Sequence, residues 1–238
     1  MKKKLIASGL LATTLVLVGC GDDDDPVMVV EPDPMPTPTP VTYSYEVMVT
    51  NLTNAQPVSP VAVVLHDDGN VWQLGEMASN ALEVLAESGD NSGLLAESFV
   101  MASASGAGVI MPGASETVSV SITDMMPSKL SVVTMLVNTN DAFSGFNAMD
   151  IANLEVGESI SLRTGSYDAG TEKNTESMAS IPGPAAGGEG YNEARDDVDF
   201  VAMHPGVVSM DDGLMSSALT QAHRFDNPTL AITFTRTE

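Results

Sequence analysis

Apolar residues recur at alternate positions, or in short unbroken runs, through most of the chain after residue 42. In 43–50, Tyr43, Tyr45, Val47 and Val49 fall on one side of a two-residue period, with Ser44, Glu46, Met48 and Thr50 on the other. That alternation predicts a half-buried strand. Residues 58–65 are nearly continuous in apolar character and stop at Asp67-Asp68-Gly69, the pattern of a buried strand running into a turn. Further strands are predicted at 99–110, 117–122, 130–137, 159–163, 198–203 and 229–235. The period changes once, between the second and third strands. There Leu82, Leu85 and Ala86 share a helical face, Asn80 and Glu83 are spaced as a capping pair, and Gly89 marks the stop. Gly106-Ala107-Gly108 lacks the third glycine of a dinucleotide-binding turn and opens no helix, so it predicts a strand bulge. Short strands, one helical interlude and Gly/Pro-rich turns together predict an all-β antiparallel sandwich with a small helical insertion.

The first 42 residues follow a different rule. Lys2, Lys3 and Lys4 precede an apolar stretch at 5–18, too short to span a bilayer, that ends in Leu17-Val18-Gly19-Cys20. A basic start, a short apolar centre and small residues before a cut describe a secretory signal at 1–19. Its ending resembles a bacterial lipobox, in which Cys20 is acylated and becomes the first mature residue. Cys20 is the only cysteine of the chain, so no disulfide is expected and stability must come from the core. Gly21 after the cysteine favours the outer membrane by analogy with enteric sorting. Four aspartates at 22–25 and a proline-rich run to Pro40 predict an extended linker over 20–42. Residues 22–40 would reach roughly 50–60 Å from the bilayer at the rise of a proline-rich spacer. The remainder, 43–238, is sized for one β domain.

Charge narrows the partners. The chain carries 32 acidic and 9 basic residues; without the three lysines of the signal, six bases remain and the formal charge is −26. So acidic a chain repels nucleic acid and anionic lipid. It suits divalent cations and basic proteins.

Two acidic segments carry the candidate chemistry: Asn140-Asp141-Ala142-Phe143-Ser144-Gly145 and Tyr167-Asp168-Ala169-Gly170-Thr171-Glu172. Each follows a predicted strand and reads as a loop leaving the sheet. Loops at the same end would bring Asp141, Asp168 and Glu172 together. Three carboxylates in one small volume cannot all stay ionised without a cation. Oxygen ligands with no neighbouring Cys or His favour a hard ion, Ca²⁺ over Zn²⁺. The other reading of these segments is two solvated turns.

The run Met135-Leu136-Val137-Asn138-Thr139-Asn140-Asp141-Ala142-Phe143-Ser144-Gly145, with Tyr167-Asp168-Ala169-Gly170-Thr171-Glu172 after it, resembles the paired signature of the spondin domain. That family reads approximately Pro-Ser-Pro-Asp-Trp-Phe-x-Gly and Tyr-Asp-Ala-Gly-Thr-Asp. Ser59-Pro60 with His66, Gly75 to Asp90, and the closing run 230–236 are similar to further family segments, so the resemblance covers about 43–238. It implies a sandwich similar to C2 domains with calcium at one edge, held by Asp141, Asp168 and Glu172. Glu172 stands where the family has Asp, and Ala142 where it has Trp. The resemblance also implies a role in adhesion or scaffolding, with an unidentified protein or glycan partner, here at a bacterial envelope or cell surface.

Enzyme motifs are sparse. The sequence has no Gly-x-Ser-x-Gly, no His-Glu-x-x-His and no phosphate-binding loop. His66 beside Asp67, and His204, each end a predicted strand. A histidine–carboxylate pair in a periplasmic or surface hydrolase is therefore the alternative to a binding module, and a hydrogen-bonded strand-end histidine is the plainer reading of either residue. Trp72 with Phe143 and Phe146 reads as core or as a cleft lining. The glycine- and proline-rich stretch 173–197 predicts a long loop, followed by a second group of acids at Asp196, Asp197 and Asp199.

Overall fold

A computed structural model describes residues 38–226 and 228–238. The signal, Cys20 and most of the linker lie outside the described residues. One compact unit spans Thr39–Glu238. Its strands are β1 (Thr42–Asn51), β2 (Ala62–His66), β3 (Val100–Ser105), β4 (Ser115–Thr123), β5 (Lys129–Met135), β6 (Ala142–Asp150), β7 (Ser159–Thr164), β8 (Ser166–Asp168), β9 (Ala202–Met203) and β10 (Leu230–Arg236), with helices α1 (Asn80–Ser88) and α2 (Ser92–Leu95) between β2 and β3. They form a four-stranded sheet in the order β4-β1-β10-β7 and a six-stranded sheet in the order β3-β2-β5-β6-β8-β9. Every neighbouring pair is antiparallel. The fold is the all-β sandwich with a small helical insertion that the patterning predicts.

The alternation in β1 decides which face turns inward. Tyr45, Val47 and Val49 are buried and pack with Ile232 and Phe234 of β10 against Val63, Leu65 and Val132 of the other sheet. β2 reads as unbroken apolar because both its faces are covered. Val63 and Leu65 enter the core between the sheets, whereas Ala62 and Val64 face a second cluster with Leu82, Leu85 and Ala86 of α1. The helix therefore lies on the outer face of the six-stranded sheet.

α1 starts one residue earlier than the predicted cap. Ser79 is the N-cap, its Oγ accepting from Leu82 N at 3.2 Å. Asn80 reaches Glu83 only at 3.5 Å, and the Glu83 carboxylate is taken by Arg195 at 2.6 Å. Gly89 ends the helix as predicted, at φ 74° with its N–H on Leu85 O, the left-handed closure that glycine adopts without strain.

Several predicted boundaries change. The predicted strand 58–65 is β2 plus an isolated bridge at Val58, and 99–110 shrinks to β3 with a bridge at Ile110. Of 198–203 only Ala202–Met203 is strand. Gly106-Ala107-Gly108 follows β3 as a bend, and the register irregularities lie instead at Leu65/His66 and Leu130/Val132. The two segments read as loops also contain strands: residues from Ala142 onward form β6, and Tyr167-Asp168 belongs to β8.

Candidate functional site

The two acidic segments meet because β6 and β8 are antiparallel neighbours. Ala142 pairs with Asp168, so the start of β6 lies beside the end of β8. Asp141, just before β6, and the Ala169–Glu172 turn, just after β8, then occupy the same end of the sheet. Ala169 N donates to Asp141 O at 3.2 Å. Gly170 makes the turn possible. It sits at φ 72°, and a Cβ there would stand 2.3 Å from Phe200 O.

Asp141 is fully buried. Its Oδ2 accepts from Thr171 N at 2.9 Å and Glu172 N at 3.1 Å, and its Oδ1 accepts from Asn140 Nδ2 at 2.8 Å. The same Asn140 amide donates to Glu172 O at 2.8 Å, tying both turns together. Asp168 Oδ1 accepts from Gly170 N at 2.8 Å and Oδ2 from Asn174 Nδ2 at 2.5 Å. Glu172 differs from both. It is buried, and its Oε2 has no hydrogen-bond partner.

A fourth acid comes from α1. Thr171 Oγ1 lies 3.3 Å from Asp141 Oδ2 but only 2.7 Å from Glu87 Oε1, and donates to Glu87. The other Glu87 oxygen accepts from Asn192 N at 2.8 Å. Glu87 is fully buried. None of the hydrogen bonds to these four carboxylates comes from Lys or Arg among the described residues. Burial, then the charge of Asp168, pushes Asp141 up to about 7 against the lowering effect of its backbone donors. Burial and then the charges of Glu87 and Asp141 push Glu172 up to about 8. Burial also raises Glu87. The end of the sheet is thus a buried acidic cluster in which Asp168 and Glu87 oppose charge on Asp141, and Glu87 and Asp141 oppose it on Glu172.

The sequence gives a faint signal for Glu87. Glu83 and Glu87 are four residues apart on one short helix, a like-charged spacing that disfavours the helix unless partners come from elsewhere. Those partners are Arg195 for Glu83 and the Thr171–Asn192 pair for Glu87. Asn140, Thr171 and Asn174 are polar residues among many, and only the fold selects them.

The histidines lie apart. His66 ends β2 and His204 follows β9; the two strands are separated in the sheet by β5, β6 and β8, so the histidines share no site. His66 is buried, with Nδ1 2.9 Å from Asp68 O and Nε2 2.8 Å from Ser131 Oγ. Asp67 does not pair with it; its Oδ1 accepts from Ser128 N. Burial lowers the His66 pKa. His204 is linked to the acidic cluster through one amide. Its Nδ1 accepts from Gly206 N at 2.9 Å, so Nε2 carries the proton, 3.2 Å from Asn174 Oδ1. Asn174 passes the contact on to Asp168. Trp72 packs on Phe143 with ring centroids 5.1 Å apart, while Phe146 faces Phe234 in the core between the sheets. Asp196 and Asp199 are paired with Lys173 and Arg195, respectively.

As placed, no group of three or more His, Cys, Asp or Glu among the described residues is spaced to hold a metal ion. No helix among them is long and apolar enough to cross a membrane. No protein-family model matches the chain, and no curated protein matches it.

Proposed function

We propose that the chain is a lipid-anchored adhesion or scaffolding module of a bacterial envelope, whose acidic sheet end is closed by Ca²⁺ held by Asp141, Asp168 and Glu172. Cys20 is the proposed lipid site, with the outer membrane favoured. The observation that carries the cation is the buried group of Glu87, Asp141, Asp168 and Glu172, with one Glu172 oxygen lacking any donor. An uncompensated carboxylate group away from water costs several kcal/mol unless it is protonated or neutralised, and an all-oxygen donor set fits a hard cation. Binding would require the Asp168 carboxylate to turn from Gly170 N and Asn174 Nδ2 and the Glu172 side chain to rotate towards it, a shift that the flexible coordination of Ca²⁺ tolerates. The anchoring role rests on the signal-like start and single cysteine. The adhesive role rests on the resemblance to spondin domains.

Calorimetric titration of Ca²⁺ into EGTA-stripped, dialysed protein tests the site. Saturable binding to the native chain and its loss in Asp168→Asn are expected; heats identical for both proteins would contradict the assignment.

A further inference from the structure

β7 closes the four-stranded sheet with an open edge. Arg236 N donates to Glu158 O at 3.1 Å, which sets the alternation along the β7–β10 ladder. Even-numbered residues of β7 bond to β10, and Ser159, Ser161 and Arg163 direct their N–H and C=O groups away from it. The hydroxyl contacts Ser159–Thr235 and Ser161–Thr233, both 2.8 Å, fit this phase, because side chains stand closer in non-hydrogen-bonded pairs. β3 and β4, the edges on the other side, lie against each other, and β9 is only Ala202–Met203. β7 carries neither a proline nor an inward-pointing charge to block pairing.

The face beside that edge is nearly free of charge. Its outward positions on β4, β1, β10 and β7 are Ser, Thr, Ala and Met, apart from Glu46 and Arg163. Neither of these is in an ion pair among the described residues. They cancel, in a chain of formal charge −23, so like molecules meet little repulsion across this face.

We propose that β7 pairs with β7 of a second copy, antiparallel about a twofold axis at Ser161, so that two four-stranded sheets become one. The register is self-complementary. Ser161 faces the partner's Ser161 and Ser159 faces the partner's Arg163, so each outward N–H finds a C=O. On the inner side Ile160 faces the partner's Leu162, and both half-buried side chains gain apolar cover. Ser159, Thr235 and Glu46 lie in one row across each sheet. Arg163 reaching along that row crosses roughly 14 Å of strand spacing to the partner's Glu46, a gap that extended arginine and glutamate side chains close between them. An edge contact this short makes a weak interface, and it does not depend on the calcium or adhesive readings.

Sedimentation velocity of the full chain in EGTA, from micromolar to near-millimolar concentration at about 0.15 M salt, should show a monomer–dimer equilibrium. Ser161→Pro should weaken it about tenfold or more while its melt stays near native, since an edge strand accepts proline where the N–H points outward. Arg163→Glu should weaken the dimer several-fold, and the exchange Glu46→Arg/Arg163→Glu should restore it. In a Cys20→Ser background, Ser161→Cys should form an intermolecular disulfide on mild oxidation. Hydrogen-bonded antiparallel partners stand about 5.5 Å apart at Cα, within disulfide range, whereas Thr117→Cys, on the same face at β4, should stay unlinked. Asp168→Asn should dimerise as the native chain does, which separates a failure here from a failure of the calcium site. A monomer throughout the range, a dimer unchanged by Ser161→Pro and Arg163→Glu, or equal cross-linking at 117 and 161 overturns the proposal.

Discussion

Asp141 and Glu172 make the acidic cluster sensitive to pH, and the direction follows from their raised values. Free carboxyls titrate near 4 (about 3.9 for Asp and 4.3 for Glu), whereas the folded chain holds Asp141 to about 7 and Glu172 to about 8. Between those limits the folded state binds more protons than the unfolded one, so stability falls as pH rises. The contribution is complete below pH ~4 and is lost progressively towards about 8. Melts in EGTA from pH 5 to 9 should fall with rising pH, and Glu172→Gln should flatten that fall because glutamine cannot ionise. An equally steep decline in the variant would remove Glu172 from the account. Gly170 gives a second prediction at this scale. Alanine there must adopt a left-handed backbone and meet Phe200 O, each effect on the order of 1–3 kcal/mol. Gly170→Ala should therefore lose about 3 kcal/mol in urea unfolding and weaken calcium binding with it.

At the scale of elements, α1 supports the site from behind. Leu82 and Leu85 fix the helix to the six-stranded sheet, and Glu87 on that helix reaches the Thr171 turn. Leu85→Ala should cost about 2–5 kcal/mol by cavity formation, visible as a lower urea midpoint with an unchanged slope. β1, β4, β5, β7 and β10 were legible because their alternation or continuity reports burial directly. β6 was not: Phe143-Ser144-Gly145-Phe146-Asn147 mixes apolar and small polar residues on both faces. Ser144 belongs there only because its hydroxyl meets Thr164, Thr229 and Gly165 O. β8 is too short for any period to register, yet with β6 it aligns the two acidic turns. The two acidic segments were readable as a pair, and the structure joins them at one end of the sheet through Asp141 and the Thr171–Glu172 turn, whereas the contacts of Glu87, Asn140 and Asn174 lie far apart in sequence and required the fold.

For the whole molecule, the governing quantity is charge. A formal −23 over 238 residues makes the compact state repel itself, and salt relieves that over a Debye length of about 8–10 Å. Sodium chloride should therefore raise the melt gradually and in every variant, whereas a specific ion acts at low concentration and only through its ligands. The decisive measurement is the melting temperature of the chain in excess EGTA and in millimolar Ca²⁺ at matched ionic strength, for the native protein and Asp168→Asn. A ligand at 100 times its Kd adds about 2.7 kcal/mol to the folded state, which for a domain of this size is about 5–10 °C. The account predicts a rise of that order in the native chain and its disappearance in Asp168→Asn. Equal melts in EGTA and Ca²⁺, or an equal rise in both proteins, would contradict it.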